Sequence, residues 1–202
     1  MTIHQLFPDP LYFSKLDREL TKKELKTIAQ YKKETKKNGG NSRTKDSYVL
    51  EHKSLKNLKK DLNKKVIDYF NKIICSNSSI VPYITQSWIN YIKNNEFHHR
   101  HSHPNSYISG IFYIEADKEV DKVDFFKLSN QTLKLNPTQF NTFNSTSIGY
   151  PIQGGDVLLF PSSLEHGVSN KKGTNIRISL SFNIFFKGVI GNKEELTELV
   201  IN

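Results

Sequence analysis

Two histidines, His101 and His103, are separated by one residue in a segment that the sequence predicts to be a β-strand. Side chains two residues apart on a strand project from the same face, so both rings can reach one point in space. A third histidine, His166, follows the apolar run 157–160, where a strand is expected to meet a turn. Three protein ligands on one face of a metal ion leave the other face open for other molecules, as in catalytic iron sites. Three histidines also suit zinc, so the spacing predicts a metal site without fixing the metal.

A simpler interpretation treats the segment 98–103, which holds four histidines and Arg100, as a basic patch on a solvated turn. Arg177 favours a specific site instead, because only four of the 29 basic residues are arginines. It lies in an apolar strand segment and alternates with Ser179 and Ser181, so one face of that strand is polar. A guanidinium with a hydroxyl two residues away can bind a carboxylate bidentately. The alternative is a strand arginine that pairs with a structural acid.

Four motifs, taken in this order, resemble those of the 2-oxoglutarate- and Fe(II)-dependent dioxygenases, in particular a bacterial and phage branch of that superfamily. The resemblance covers residues 88–185, about half of the chain, and four motifs in order are more specific than any one of them. In this sequence they are His101-Ser102-His103-Pro104-Asn105-Ser106, then Ser109-Gly110-Ile111-Phe112-Tyr113, then residues 155–168 with Gly155, Asp156 and His166, and finally residues 177–183 from Arg177 to Asn183.

The resemblance implies a mainly β fold with flanking helices, in which a double-stranded β-helix (a cupin-like jelly roll) encloses the metal. It implies that the metal ligands are His101, His103 and His166. Four residues are then expected to contact 2-oxoglutarate, and they are Arg177, Ser179, Tyr113 and, more weakly, Asn90. Tyr91 should point to the opposite side of its strand from Asn90, so only one of the two can qualify.

The resemblance also implies the reaction, which is hydroxylation of a substrate with release of succinate and CO2. The cofactors would be Fe(II) and the cosubstrate 2-oxoglutarate, with ascorbate as a candidate accessory reductant, and no catalytic group beyond the metal ligands is expected. Most members of the superfamily carry Asp or Glu where this chain has His103, which leaves the metal centre one charge more positive. The competing hypothesis is a cupin-like metal-binding protein or metal-dependent isomerase that does not use 2-oxoglutarate. Arg177 with Ser179 favours the oxygenase, because a cupin has no standing need for a carboxylate clamp there.

Length and charge suggest how the rest of the chain is organised. With 202 residues and 36% hydrophobic residues, the chain is expected to form one domain with a sizeable core. Residues 1–80 hold 18 Lys/Arg and 9 Asp/Glu, whereas residues 81–202 hold 11 of each, so the net charge of +9 lies entirely in the first part. We expect residues 1–80 to form a helical buttress of the same domain, with helices at 21–37 and 55–74. Residues 81–190 would form the catalytic core, and residues 191–202 a C-terminal tail.

Partners and location follow from what the sequence lacks. A basic helical face can bind nucleic acid, but no basic and aromatic interleaving accompanies it, so nucleic-acid binding is not expected. No apolar run approaches the roughly 20 residues that span a bilayer, and the N-terminus lacks the apolar core of a signal peptide. The single cysteine, Cys75, fits a reducing compartment and is expected to be buried. A cytoplasmic location, a small-molecule or peptidyl substrate and a polar loop or lid at 129–152 complete the expectation.

Overall fold

The computed structural model of the protein describes residues 2–76, 79–128, 133 and 135–202. Within them, two β-sheets are accompanied by two α-helices. The strands are β1 (Tyr12–Lys15), β2 (Thr35–Lys37), β3 (Ser42–Thr44), β4 (Val81–Ile92), β5 (His98–His101), β6 (Ile108–Glu115), β7 (Lys122–Phe126), β8 (Ser147–Pro151), β9 (Asp156–Pro161), β10 (Glu165–Val168), β11 (Arg177–Ile190) and β12 (Leu199–Ile201). The helices are α1 (Lys22–Tyr31) and α2 (Lys56–Tyr69), and a π-helical segment, Phe70–Ile74, continues α2.

The two sheets have the strand orders expected of two facing layers. The larger sheet runs β1-β9-β6-β11-β4-β3-β2, with β12 paired to β11, and the smaller sheet runs β5-β10-β7-β8. All of the strand pairs are antiparallel. Strands that are neighbours in space come from distant parts of the chain, as in a jelly roll. The predicted mainly β fold with two enclosing sheets is confirmed, although the sheets do not close into a barrel.

Successive side chains along the strands of the larger sheet point to opposite faces, so an apolar core lies on each side of the sheet. One face of the sheet packs against the smaller sheet, and this inner core consists of Ile111, Tyr113, Leu158 and Phe160 from the larger sheet with Val123 and Phe125 from the smaller one. The opposite face lies on the side of α2, and its Leu180 and Phe182 belong to the same apolar core as Leu58, Leu62 and Val66 of the helix. The functional side chains described below lie on the inner face, between the two sheets.

Residues 1–80 contribute strands as well as helices to this arrangement. The helix predicted at 21–37 ends at Tyr31, and the chain then forms the hairpin β2–β3 at the edge of the larger sheet. The hairpin forms at this place because Gly39, with φ of +69°, supports its tight turn. The second predicted helix, at 55–74, is confirmed as α2 and the π-helical segment.

Three other parts of the chain differ from the expectation or complete it. Residues 147–151 of the predicted polar loop form the edge strand β8, while residues 129–132 and 134 of that loop lie outside the described residues. Cys75 is exposed, not buried, because it lies past the last turn of helix in the left-handed conformation. Residues 199–201 form β12 against β11. Within the described residues, no α-helix is both long and apolar enough to cross a bilayer.

Candidate metal and carboxylate-binding site

Three histidine rings meet at the open end of the space between the two sheets. His166 on β10 lies directly opposite His101 on β5, so both rings project from the same face of the smaller sheet. His103 follows β5 and is anchored by a hydrogen bond from its backbone N–H to the carbonyl of Ser162, 3.0 Å away. The ring centroids are 4.4 to 5.1 Å apart, and one nitrogen from each ring lies within 4.8 Å of the other two. The three predicted ligands therefore converge.

Hydrogen bonds to the Nδ1 atoms determine which nitrogen each ring presents. The Nδ1 atom of His101 lies 2.8 Å from the carbonyl oxygen of His99, and that of His166 lies 3.2 Å from the carbonyl oxygen of Leu164. The Nδ1 atom of His103 lies 2.6 Å from Oδ1 of Asn183. All three neighbours are acceptors, so each Nδ1 carries the proton and each Nε2 keeps a free lone pair. This tautomer is the one that binds a metal through Nε2.

Burial keeps the three rings neutral. It lowers the pKa of His101 to about 4, with further lowering from the neighbouring rings of His103 and His99. Burial also lowers the pKa of His103 below its ordinary value and that of His166 well below it. Three neutral imidazoles with free lone pairs have the donor chemistry that a divalent transition metal requires. The residues present therefore fit such a metal.

Arg177 provides a buried cation on the neighbouring strand of the larger sheet. Its side chain is only 2% exposed, and its Nη2 donates to the hydroxyl of Tyr113 at 3.2 Å. The Nε and Nη1 atoms have no hydrogen-bond partner within the described residues, and none of the described carboxylates forms an ion pair with this guanidinium. A buried donor without an acceptor costs free energy, so these atoms require a ligand. An anion such as a carboxylate satisfies them.

Polar side chains continue from Arg177 along the inner face of the larger sheet. Strand pairing places Ser179 opposite both Asn90 on β4 and Tyr113 on β6. The Nδ2 atom of Asn90 donates to the hydroxyl of Ser181 at 3.0 Å, while its buried Oδ1 has no partner among the described residues. Tyr91 packs into the helix-side core, so the prediction that Asn90 and Tyr91 face opposite ways is confirmed.

A single cavity joins these groups. Its lining includes His101 and His166 of the histidine cluster together with Asn90, Arg177 and Ser179. His103 borders the cavity through ring contacts with His101 and His166, and the hydroxyl of Tyr113 is hydrogen-bonded to Arg177. The structure therefore brings all seven residues predicted for the site into one place. A molecule with a metal-chelating end and a distant carboxylate could span it.

Sequence reasoning missed two residues of this site. Asn183 orients His103, and it could have been noticed because it alternates with Arg177, Ser179 and Ser181 on the polar face of one strand. His98 lines the same cavity as Arg177, although the period of a regular strand places it on the opposite face from His101. A β-bulge in β5 reverses that expectation, and no local sequence signal announces it.

The sequence also matches a family of known proteins. Residues 86–183, just under half of the chain, match the family described as "Putative 2OG-Fe(II) oxygenase". The matched segment contains every residue of the site described above. No curated protein matches the sequence.

Solved structures of similar fold cover most of the chain. A 2OG-Fe(II) oxygenase family oxidoreductase from Burkholderia pseudomallei is 15% identical, with a TM-score of 0.54 over 80% of this chain and 77% of that one. HygX from Streptomyces hygroscopicus, solved with nickel, 2-oxoglutarate and hygromycin B bound, is 12% identical, with a TM-score of 0.57 over 86% and 82%. A Trichoplax adhaerens prolyl hydroxylase in complex with a hypoxia inducible factor peptide is 13% identical, with a TM-score of 0.57 over 87% and 83%. At these identities, the likeness establishes the shared fold.

Proposed function

We propose, starting from the match of residues 86–183 to the family described as "Putative 2OG-Fe(II) oxygenase", that this chain hydroxylates a substrate with release of succinate and CO2. Bound Fe(II) and 2-oxoglutarate would together activate O2, which is the oxidant and gives one oxygen atom to the substrate and one to succinate, whereas the protein binds, orients and shields the reactants. No general base is part of this proposal, because the bound metal and cosubstrate would supply the chemistry that removes the hydrogen and no side chain is assigned a proton transfer.

One observation carries the proposal. The buried guanidinium of Arg177 has two nitrogen atoms without partners, and it lines the same cavity as the histidine cluster. A metal site alone does not explain an unpaired buried cation, whose exposure to solvent is only 2%. A ligand that chelates the metal at one end and carries a carboxylate at the other explains both features. 2-Oxoglutarate is such a ligand.

The residues then take distinct roles in this proposal. His101, His103 and His166 bind Fe(II) through their Nε2 atoms. Arg177 binds the distal carboxylate of 2-oxoglutarate, and Tyr113 holds the guanidinium in place. Ser179 and Asn90 add a hydroxyl and an amide oxygen beside it.

In this proposal His103 takes the place of the Asp or Glu ligand that most members of the superfamily carry, so the number of protein ligands stays at three. Its Nδ1 donates to Asn183, which orients the ring towards the other two histidines. Because all three ligands are neutral, the iron centre keeps its full positive charge, which strengthens the attraction for the dianionic cosubstrate. The same change weakens retention of the metal by ligands alone, so metal and cosubstrate are expected to stabilise one another.

The proposal includes the class of substrate and its location. Hygromycin B and a peptide fragment are bound in two of the similar structures, and a small molecule or a peptidyl side chain is the corresponding proposal for this chain. Within this proposal the substrate lies beside Trp88, which is partly buried, lines the cavity and has its ring 5.6 Å from that of His103. A cytoplasmic location, which a single cysteine in 202 residues supports, belongs to the same proposal.

The test is an anaerobic titration of the Fe(II) protein with 2-oxoglutarate. Binding is measured from the growth of the metal-to-ligand charge-transfer absorption. The wild-type protein is expected to bind saturably. Arg177→Met removes charge-assisted hydrogen bonds and is expected to weaken binding about a hundredfold or more. Lys187→Met is the control, because Lys187 is an exposed cation ten residues further along β11 and lies outside the cavity.

Two outcomes would count against the proposal. If the protein binds Fe(II) but not 2-oxoglutarate, a cupin-like metal protein without this cosubstrate becomes the better account. If Arg177→Met binds 2-oxoglutarate as tightly as Lys187→Met does, the assignment of the carboxylate clamp is wrong.

A further inference from the structure

A fourth histidine, His98, faces the site because of an irregularity in β5. Across the pair β10–β5, His166 lies opposite His101 whereas Val168 lies opposite His98, so β5 uses one residue more than β10 over this interval. Such a β-bulge turns the following side chain to the other face of the strand. The rings of His98 and His101 consequently stack on the same side, with centroids 4.5 Å apart and an interplanar angle of 28°.

The ring of His98 lines the same cavity as Arg177, Ser179 and Asn90. The ring therefore forms part of the wall of the cavity and is stacked against one of the proposed metal ligands.

The hairpin β2–β3 fixes the tautomer of this ring. Its turn packs against the start of β5, because the backbone N–H of Phe97 donates to the carbonyl of Gly40 at 3.1 Å. Gly40 is required there, since a Cβ atom at this position would lie 2.7 Å from the ring of Phe97. From the same turn, the Nδ2 atom of Asn38 lies 3.3 Å from Nε2 of His98. An amide N–H can only donate, so Nε2 accepts and Nδ1 carries the proton.

The Nδ1–H group of His98 has no hydrogen-bond partner within the described part of the chain. It is thus a fixed neutral donor without an acceptor, beside a proposed metal ligand. 2-Oxoglutarate carries two carboxylates, and Arg177 serves only the distal one. The carboxylate at the metal end chelates through one oxygen, which leaves its other oxygen in need of a donor.

We propose that His98 binds 2-oxoglutarate at its metal-binding end, by donating from Nδ1 to the carboxylate oxygen that the metal does not take. This inference rests on the function proposed above. It makes His98 a cosubstrate-binding residue, and it makes Asn38 a positioning residue that acts through His98. The hairpin turn thereby becomes part of the active site, although Asn38 lies 60 residues before His98 in the sequence.

The competing role for His98 is that of a metal ligand. His98, His99 and His101 also offer nitrogen atoms within 4.8 Å of one another. This set shares His101 with the cluster described above, and His99 is exposed. The Nε2 atom of His98 is already bonded to Asn38. These features favour a hydrogen-bonding role, and the test below separates the two.

The experiment compares three variants in the anaerobic titration of the Fe(II) protein with 2-oxoglutarate. His98→Phe keeps a stacking ring but removes the donor, and it is expected to weaken 2-oxoglutarate binding about ten- to a hundredfold. His98→Asn places an amide nitrogen where Nδ1 lies, so it is expected to recover most of the affinity. His4→Phe is the control and is expected to bind like the wild type, because His4 is exposed and lies outside the cavity.

Two further measurements assign the contact. The dissociation constant for Fe(II) alone is expected to be unchanged in His98→Phe, and a large loss there would make His98 a metal ligand and overturn the inference. 2-Oxobutyrate, which lacks the distal carboxylate, is expected to bind more weakly to His98→Phe by the same factor as 2-oxoglutarate does. Equal binding of 2-oxobutyrate to wild type and variant would place the contact elsewhere and overturn the inference too.

The outcomes separate this inference from the proposed function. If the wild-type protein does not bind 2-oxoglutarate, the proposed function itself fails. If the wild type binds it and His98→Phe binds it equally well, only the role of His98 is wrong. Loss in His98→Phe without recovery in His98→Asn would contradict the assignment of the donor to Nδ1.

Discussion

Asn183 is predicted to control how tightly the protein holds its metal. It makes the short 2.6 Å contact between its Oδ1 atom and Nδ1 of His103, within a partly buried part of the site. Asn183→Ala removes this acceptor and leaves the Nδ1–H of His103 unpaired. The ring then loses both its orientation and the bias towards the tautomer that presents Nε2 to the metal.

The expected size of the effect follows from the environment of the contact. An unpaired donor in a partly buried site costs about 1 to 3 kcal/mol. At about 1.4 kcal/mol for each factor of ten, this cost corresponds to roughly a five- to hundredfold weaker metal complex. Loss of a hydrogen-bonding partner of a metal-bound histidine typically weakens metal binding by about ten- to a hundredfold, which agrees with this range.

The assay is a competition between the protein and a chelator of known affinity for Co(II), whose visible spectrum also reports the coordination geometry. Asn183→Asp is the matched variant, because it keeps an acceptor at the same position and adds a negative charge. It is expected to hold the metal at least as tightly as the wild type. Denaturant unfolding of the metal-free variants checks that each is folded. Metal binding by Asn183→Ala with wild-type affinity would refute this reasoning.

Three further predictions concern stability. The metal-free protein is expected to lose stability as pH falls from 6.5 towards about 4, because His101 has a folded-state pKa of about 4 and the unfolded chain takes up the proton first. Urea unfolding at two pH values within this window measures the loss, and equal stability at both values would contradict the prediction. Gly110→Ala is expected to destabilise the fold by about 1 to 3 kcal/mol, since the new Cβ would lie 2.2 Å from the ring of Phe182, whereas Gly154→Ala should be tolerated. Glu24→Ala is expected to cost about 3 kcal/mol or more in unfolding free energy, because it removes the α1 capping box and leaves Arg18 without its main partner; an unchanged denaturation midpoint would show that neither contact matters.

The candidate site could largely be predicted from the sequence because its residues follow the period of the strands that carry them. Arg177 and Ser179 alternate along β11, and the strand is long and regular enough for their shared face to be read directly. The order of the four motifs along the chain then identified the three histidines as candidate metal ligands. What periodicity could not supply was the contribution of β5, where a bulge turns His98 to the face of His101.

The fold was predictable in its layers and less so at its N-terminal edge. The helix α2 carries a clear apolar stripe, and its position was predicted closely. The lysine-rich segment after α1 has no alternation that distinguishes helix from strand, so the hairpin β2–β3 was missed. Its strand β3 pairs with the distant strand β4, and such a contact is decided by tertiary packing and not by local propensity.

The most direct test of the central claim is the amount of succinate formed from 2-oxoglutarate by the purified protein with Fe(II) and O2. The wild-type protein is expected to form succinate in proportion to the 2-oxoglutarate consumed. His166→Ala, which removes a buried histidine of the proposed metal site, is expected to form none. Equal succinate from both proteins, or none from a wild-type protein that has bound both iron and 2-oxoglutarate, would contradict the account.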